Sequence, residues 1–310
     1  MMYSLFRPVL FSLDPEAAHA AAFAALDVQA QLGLATCWRG SVPQTAPVQV
    51  MGLTFPNRVG LAAGLDKDAL HLTGLAQLGF GFIEVGTLTP KPQPGNPKPR
   101  MFRLPEHEAL INRLGFNNGG VEAALPRLRA RQVGVPVGVN IGKNAATPIE
   151  RAVDDYLTSL AAVYTTADYI TINISSPNTK NLRDLQAPDS VAALVGTITR
   201  DGKRLARLYG CTRPIAVKIA PDLDVAMIDD VVNAIIDAGA DAIISSNTTI
   251  GREAVVGHAH AREAGGLSGA PLTALADQVL GRVVKATDGR VPVIGVGGIM
   301  SVADDGHTPV

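Results

Sequence analysis

"TINISSPNTK", residues 171–180, reads as the end of a strand and the start of its exit loop. Apolar residues alternate as far as Ile174, and Ser175, Ser176, Pro177 and Asn178 follow. Two serines and two asparagines crowd one strand end, with no histidine beside them to activate a hydroxyl. The same pattern of an apolar run with a polar end recurs in both directions. Upstream lie "RVGLAAG" (58–64), "FIEVGT" (82–87) and "VPVGVNIG" (135–142). Downstream lie "IAVKIA" (215–220), "GADAIISSNTT" (239–249) and "VPVIGVGGI" (291–299). Helical patterns separate them: a short one closed by Gly79, then 121–132, 148–165, 189–209, 224–238 and 272–287. A long loop rich in Pro, Gly and Lys runs from "KPQPGNPKPR" to "NRLGFNN".

Alternating β and α segments with continuous apolar strands predict a parallel sheet covered by helices. Seven strands are countable. Polar or glycine residues stand at almost every C-terminal strand end: Lys67 just after the first, then Thr87, Asn140, Asn173, Lys218, Asn247 and Gly297. An open sheet would gather its ligand groups at one switch point. Contributions from every strand point instead to an α/β chain of the (β/α)8 TIM-barrel class, with its active face at those ends.

The composition suits that size. The chain has 310 residues, 47% hydrophobic and 18% charged, with a net charge of −1. No basic excess argues for nucleic acid. Cys37 and Cys211 have no metal or CxxC spacing and read as incidental reduced thiols. There is no HExxH, no Cys/His cluster and no carboxylate pair for acid–base work. No stretch reaches the roughly 18 apolar residues of a membrane span. At the N-terminus, Leu5, Phe6, Val9, Leu10 and Leu13 recur at helical spacing. Asp14-Pro15-Glu16 then reads as a cap, a first-turn proline and an early acid opening a second, Ala-rich helix to about Leu34. Arg7-Pro8 interrupts any signal-peptide core. The helical pair either packs on the domain or lies on a membrane surface. It divides the chain into a helical extension, 1–40, and a barrel, 41–310.

"GVGGI" (295–299) and "GGLSG" (265–269) are glycine clusters at late strand–helix junctions, where backbone amides suit a phosphate. The other strand-end groups are neutral amides, hydroxyls and two lysines. Asparagines both donate and accept, so a ring of them can hold a planar heterocycle bearing amide and carboxylate groups.

At this point "GLAAGLDKDA", "VGTLTPKPQPGNPKPR", "NRLGFNN", "NISSPNT", "VKIAPD", "SNTT", "GGLSG" and "IGVGGI" together resemble the dihydroorotate dehydrogenase family, over about residues 1–301. The resemblance implies FMN as cofactor and oxidation of dihydroorotate to orotate. Soluble members carry a cysteine as base and the membrane-linked, quinone-reducing class a serine; here Ser176 holds the position. The class also implies that the N-terminal pair is a platform on the membrane surface, at the cytoplasmic face, where quinone arrives. His19 and Arg103 are candidates for the quinone side. Ser176 would take a proton from the carbon next to a carbonyl, with the 177–188 loop excluding solvent. Asn112, Asn173, Asn178, Asn247 and Thr248 would bind the pyrimidine, with the backbone of Arg113, Leu114, Gly115 and Phe116 beside them. Lys67 would sit between substrate and flavin, and Lys218 would offset charge developing on the flavin. Ala63, Gly64, Thr87, Asn140, Asn173, Ser246, Gly269 and Gly298 would line FMN.

After "GVGGIM" the chain reads "SVADDGHTPV". A βα unit takes roughly 30 residues, so the eighth unit is expected to be missing, leaving unpaired edges and a weakened FMN site. Two alternatives stay open: an inactive remnant of the enzyme, or another phosphate-binding barrel such as an aldolase using Lys218 as a Schiff base. His258 and His260 read as solvated loop residues.

Overall fold

The computed structural model describes residues 2–33 and 46–301. Its frame is a curled sheet of seven parallel strands: β3 (Gly60–Leu61), β4 (Phe82–Leu88), β7 (Val137–Ile141), β8 (Tyr169–Asn173), β9 (Ile215–Ile219), β10 (Ala242–Ser245) and β12 (Val293–Gly295). Each pairs with the strand next to it in this series, giving the spatial order β12-β10-β9-β8-β7-β4-β3. That sequential, all-parallel order is the one a (β/α) barrel builds. Among the described residues β3 and β12 are the outer strands. The expectation of a missing eighth unit concerns residues 302–310, which lie outside them.

The strands fold as the apolar runs predict, because every residue of β7, β8 and β9 is buried. Alternate residues divide two interiors. Val137, Val139, Ile141, Ile170, Ile172, Val217, Ile219 and Ile243 face outward and join the main core. Helices α4 (Val121–Ala130), α5 (Ala152–Val163), α6 (Pro188–Tyr209), α7 (Val225–Asp237) and α8 (Thr273–Thr287) cover them. Burying one such side chain is worth about 1.5–3 kcal/mol. The other parity points to the sheet axis. Ala216, Ala242 and Ile244 meet Met51 there, brought by the hairpin of β1 (Val48–Val50) and β2 (Leu53–Phe55). Gly138 must be a glycine, because a Cβ would lie 2.1 Å from Tyr169 Cζ.

The long loop after β4 is not featureless. It contains β5 (Met101–Leu104) and β6 (Ala109–Asn112), an antiparallel hairpin. "GGLSG" supplies β11 (Gly266–Gly269), which adds to β6. That cluster is therefore mostly strand and not a turn.

The N-terminal pair is α1 (Met2–Ser12) and α2 (Pro15–Gln31). Asp14 caps α2 by accepting from the Glu16 and Ala17 amides. Helix α2 packs on α3 (Leu72–Gln77) where Gly74 admits Leu26. It is pinned further by Glu16, which takes the Arg100 guanidinium on both oxygens (2.7 and 3.0 Å) and Lys98 at 3.1 Å. Phe23 stacks on His71, whose Nδ1 is 2.8 Å from Asp27.

Candidate active site

The strand-end residues predicted for the site meet at one mouth. Its foundation is a residue sequence reasoning passed over. Glu84, in mid-β4, is buried and accepts from Asn140 Nδ2 (2.8 Å), Thr171 Oγ1 (2.9 Å) and Tyr169 OH (3.1 Å). A carboxylate only accepts, so Asn140 must turn its amide nitrogen down and its oxygen up. That oxygen receives Thr87 Oγ1 (2.6 Å) and Asn173 Nδ2 (3.1 Å). Asn173 Nδ2 also donates to Thr87 Oγ1 at 2.9 Å. The Asn173 oxygen is left facing the next loop, where it accepts from Ser175 N (3.2 Å) and Oγ (3.1 Å). Asn247 Nδ2 closes the chain on Ser175 Oγ at 2.9 Å. The signal for Glu84 was a lone acid inside an apolar run.

Ser176 follows on the same loop and is buried at 5% exposure. Its Oγ accepts the Asn178 amide (3.2 Å), a donor that favours negative charge on oxygen. Asn178 Nδ2 reaches Asn112 Oδ1 (3.3 Å), and Asn247 Oδ1 holds Thr248 N (2.8 Å). These contacts make the exits of β6, β8 and β10 neighbours. Gly115 and Phe116 both have positive φ (71° and 53°). The carbonyls of Arg113 to Phe116 hold the preceding loop through Gln93 and Asn96. Among the described residues the amides of Leu114, Gly115 and Phe116 are not taken up, which leaves a nest of donors for an anionic group. Arg113 is committed elsewhere: its amide goes to Arg100 O and its guanidinium to Glu263.

Two cations complete the site. Lys218 is buried, and its ammonium has no hydrogen bond or ion pair among the described residues. Burial lowers its pKa, opposed by Glu84. Lys67 Nζ donates to Gly64 O (2.7 Å). Burial, with Arg100 adding repulsion, pushes its pKa down to about 8. Ala63 and Gly64 follow β3, and a Cβ on Gly64 would meet only open space. Ser246 is buried beside β12 through its amide on Val296 O (2.9 Å). Gly269 packs on the Glu108 backbone and Gly298 on Thr273, whose hydroxyl bonds Gly298 O at 2.6 Å.

On the α2 side a cavity of about 120 Å³ is lined by His19, Lys67, His71 and Asn117. Asn117 Oδ1 is buried there without a partner among the described residues. His19 packs on Phe23 and its pKa is lowered by burial. Arg103 does not reach this cavity's lining; it donates to Leu13 O (2.9 Å) and holds the α1–α2 corner. His258 and His260 are loop residues, as expected, but half-buried and not solvated: they lie against each other, His258 also against His107 and His260 against Phe102.

Comparison with known proteins gives one answer. The family model described as dihydroorotate dehydrogenase matches residues 45–306. A protein of Chromobacterium violaceum, dihydroorotate dehydrogenase (quinone), is 53% identical over 304 residues, covering 98% of this chain and 88% of the relative. A protein of the same description from Herminiimonas arsenicoxydans is 54% identical over 311 residues, covering 98% and 88%. Among solved structures, the Eimeria tenella DHODH in complex with ferulenol superposes with a TM-score of 0.85 at 36% identity, covering 96% of this chain and 85% of that one.

Proposed function

This chain belongs to the dihydroorotate dehydrogenase family, and from that premise we propose how its residues divide the work. The reaction is oxidation of dihydroorotate to orotate in pyrimidine biosynthesis, with FMN as the flavin and a quinone as acceptor. The observation that carries the residue assignment is the buried chain of oriented amides leading from Glu84 to Ser175, with Ser176 next to it.

The residues present suit FMN. Open space over Gly64, a buried lysine without a partner among the described residues and amides fixed in orientation match a flat, polar, electron-rich ring. When bound, FMN would supply the two-electron redox chemistry that links dihydroorotate to the quinone. Ala63, Gly64, Lys67, Thr87, Asn140, Asn173, Lys218 and Ser246 would hold the ring system, and Gly269 and Gly298 the phosphate end. Asn112, Asn178, Asn247 and Thr248 would grip the pyrimidine, and the free 114–116 amides its carboxylate. Ser176 would take the proton from the carbon beside the carbonyl. The Asn178 amide would steady charge on its oxygen, and the 177–188 loop, anchored by buried Thr179, Leu182 and Gln186, would shut out water.

The quinone would approach through the cavity at His19. The N-terminal pair would rest on the cytoplasmic membrane surface. Exposed Val9, Phe11, Leu13, Val28 and Leu32 support this. No described helix is long and apolar enough to cross a membrane.

The test is the visible spectrum of the purified chain, followed by anaerobic mixing with dihydroorotate. Bound flavin should bleach, and Ser176→Ala should slow bleaching by about 10²- to 10⁴-fold. Bleaching of Ser176→Ala at the parent rate would sink the assignment of the base. A colourless protein would sink the cofactor-site assignment.

A further inference from the structure

We propose that Arg183 is the positioning residue for proton abstraction, a three-point clamp that sets where the base stands; this rests on the reading of Ser176 as that base. Arg183 sits in a short 3-10 turn, Leu182–Gln186, at the far end of the loop that carries Ser176. Its three guanidinium nitrogens reach three different strand exits. Nε donates to Ser175 O (2.9 Å), the residue immediately before the base. Nη2 donates to Thr248 O (3.0 Å), within the pair expected to hold the pyrimidine. Nη1 donates to Asp222 Oδ2 (2.7 Å), just beyond β9.

Asp222 is itself fixed. Its Oδ1 accepts from Thr249 Oγ1 and from the Ile250 amide. One ion pair, 20% and 17% exposed at its two side chains, therefore ties the exits of β8, β9 and β10 to one point. The loop from Ser176 to Leu182 is closed at both ends, by Asn173 on one side and Arg183 on the other. The clamp also joins the base to the substrate-holding residues, so the two are placed relative to each other.

This matters because a general base works only within hydrogen-bond reach of its proton. A misplacement of about 1 Å costs on the order of 10²-fold in rate. Lysine keeps the charge and three donors, but all on one nitrogen, so it cannot span three acceptors that the planar guanidinium reaches from three separate nitrogens.

The experiment compares the flavin-loaded parent chain with Arg183→Lys, Asp222→Asn, Ser176→Ala and the Ser176→Ala/Arg183→Lys double variant. The expected result is unchanged flavin content in Arg183→Lys, with kcat down about 10²-fold. Amides 178–182 should exchange with deuterium faster than in the parent. The primary isotope effect from deuterium on the carbon beside the carbonyl should rise, because the proton-abstraction step alone is slowed. In the double variant bleaching should be no slower than in Ser176→Ala, since the clamp acts through the base. Asp222→Asn should show the same pattern in milder form and covers the case in which Arg183→Lys fails to fold. A double variant slowed by the product of the single effects, or parent-like exchange in the loop, would overturn the proposal with Ser176 still the base. Parent-like bleaching in Ser176→Ala would overturn both.

Discussion

Lys67 has the position in which a single charge is most exposed to test. Burial brings its pKa down from 10.5 to about 8. Between those values the unfolded chain binds a proton that the folded chain does not. Stability therefore rises with pH across that window, and the cost of burying the cation is fully present below about 8. The same shift governs ligands. In the enzyme free of pyrimidine, the charge that would meet an anion is lost as pH rises through about 8. Orotate should bind progressively more weakly above that pH, approaching about tenfold per unit. Lys67→Arg should hold its affinity to higher pH. Titrating orotate by the flavin absorbance change at several pH values checks this, and a flat profile from pH 7 to 9 in the parent would contradict it.

At the scale of elements, helix α2 is held by a few strong contacts and not by a broad apolar face, since Ala18 and Phe23 are its buried side chains. The hydrogen bond from Arg100 is the main reason the Glu16 carboxyl lies at about 2, with Lys98 assisting. Its contribution is thus full above about 4.5 and is lost as pH falls toward 2. Glu16→Gln should cost about 1–2 kcal/mol and raise deuterium exchange in α2, with exchange in β7 to β9 unchanged. Unchanged α2 exchange would show that Phe23 and Leu26 suffice. Elements of this kind differ in how visible they are in sequence. The seven parallel strands were legible because burial on both faces leaves continuous apolar runs. Strands β5, β6 and β11 were not, because each is short, mixed in polarity, and β11 finds its partner more than 150 residues away. The site divides in the same way. Asn140, Asn173 and Lys218 announce themselves at strand ends, whereas Arg183 and Asp222 are 39 residues apart and leave no local pattern.

Across the whole molecule, the sheet axis is filled from below by Met51 and Tyr169, so the proposed chemistry belongs to one mouth. The N-terminal pair flanks that mouth on the side of the His19 cavity. Its exposed apolar residues predict vesicle binding. Val9 and Leu32 are 61% and 65% exposed, and removing either from a lipid contact forfeits about 1.5–3 kcal/mol. Val9→Asp or Leu32→Asp should weaken flotation with phospholipid vesicles by at least about tenfold. Anaerobic bleaching by dihydroorotate should not change. Equal flotation of parent and variants would place the membrane contact elsewhere.

The run of amides above Glu84 has a bearing on how this chain can change by mutation. Each member's orientation is dictated by the one before it, so a replacement at Glu84 alters the hydrogen-bonding sense of Asn140, then of Thr87 and Asn173. No member can drift alone without leaving a mismatched pair in a dry interior. These positions are therefore heritable as a block. A redesign for a different heterocycle would succeed by exchanging the block together, and a library that varies them one at a time would return mostly failures.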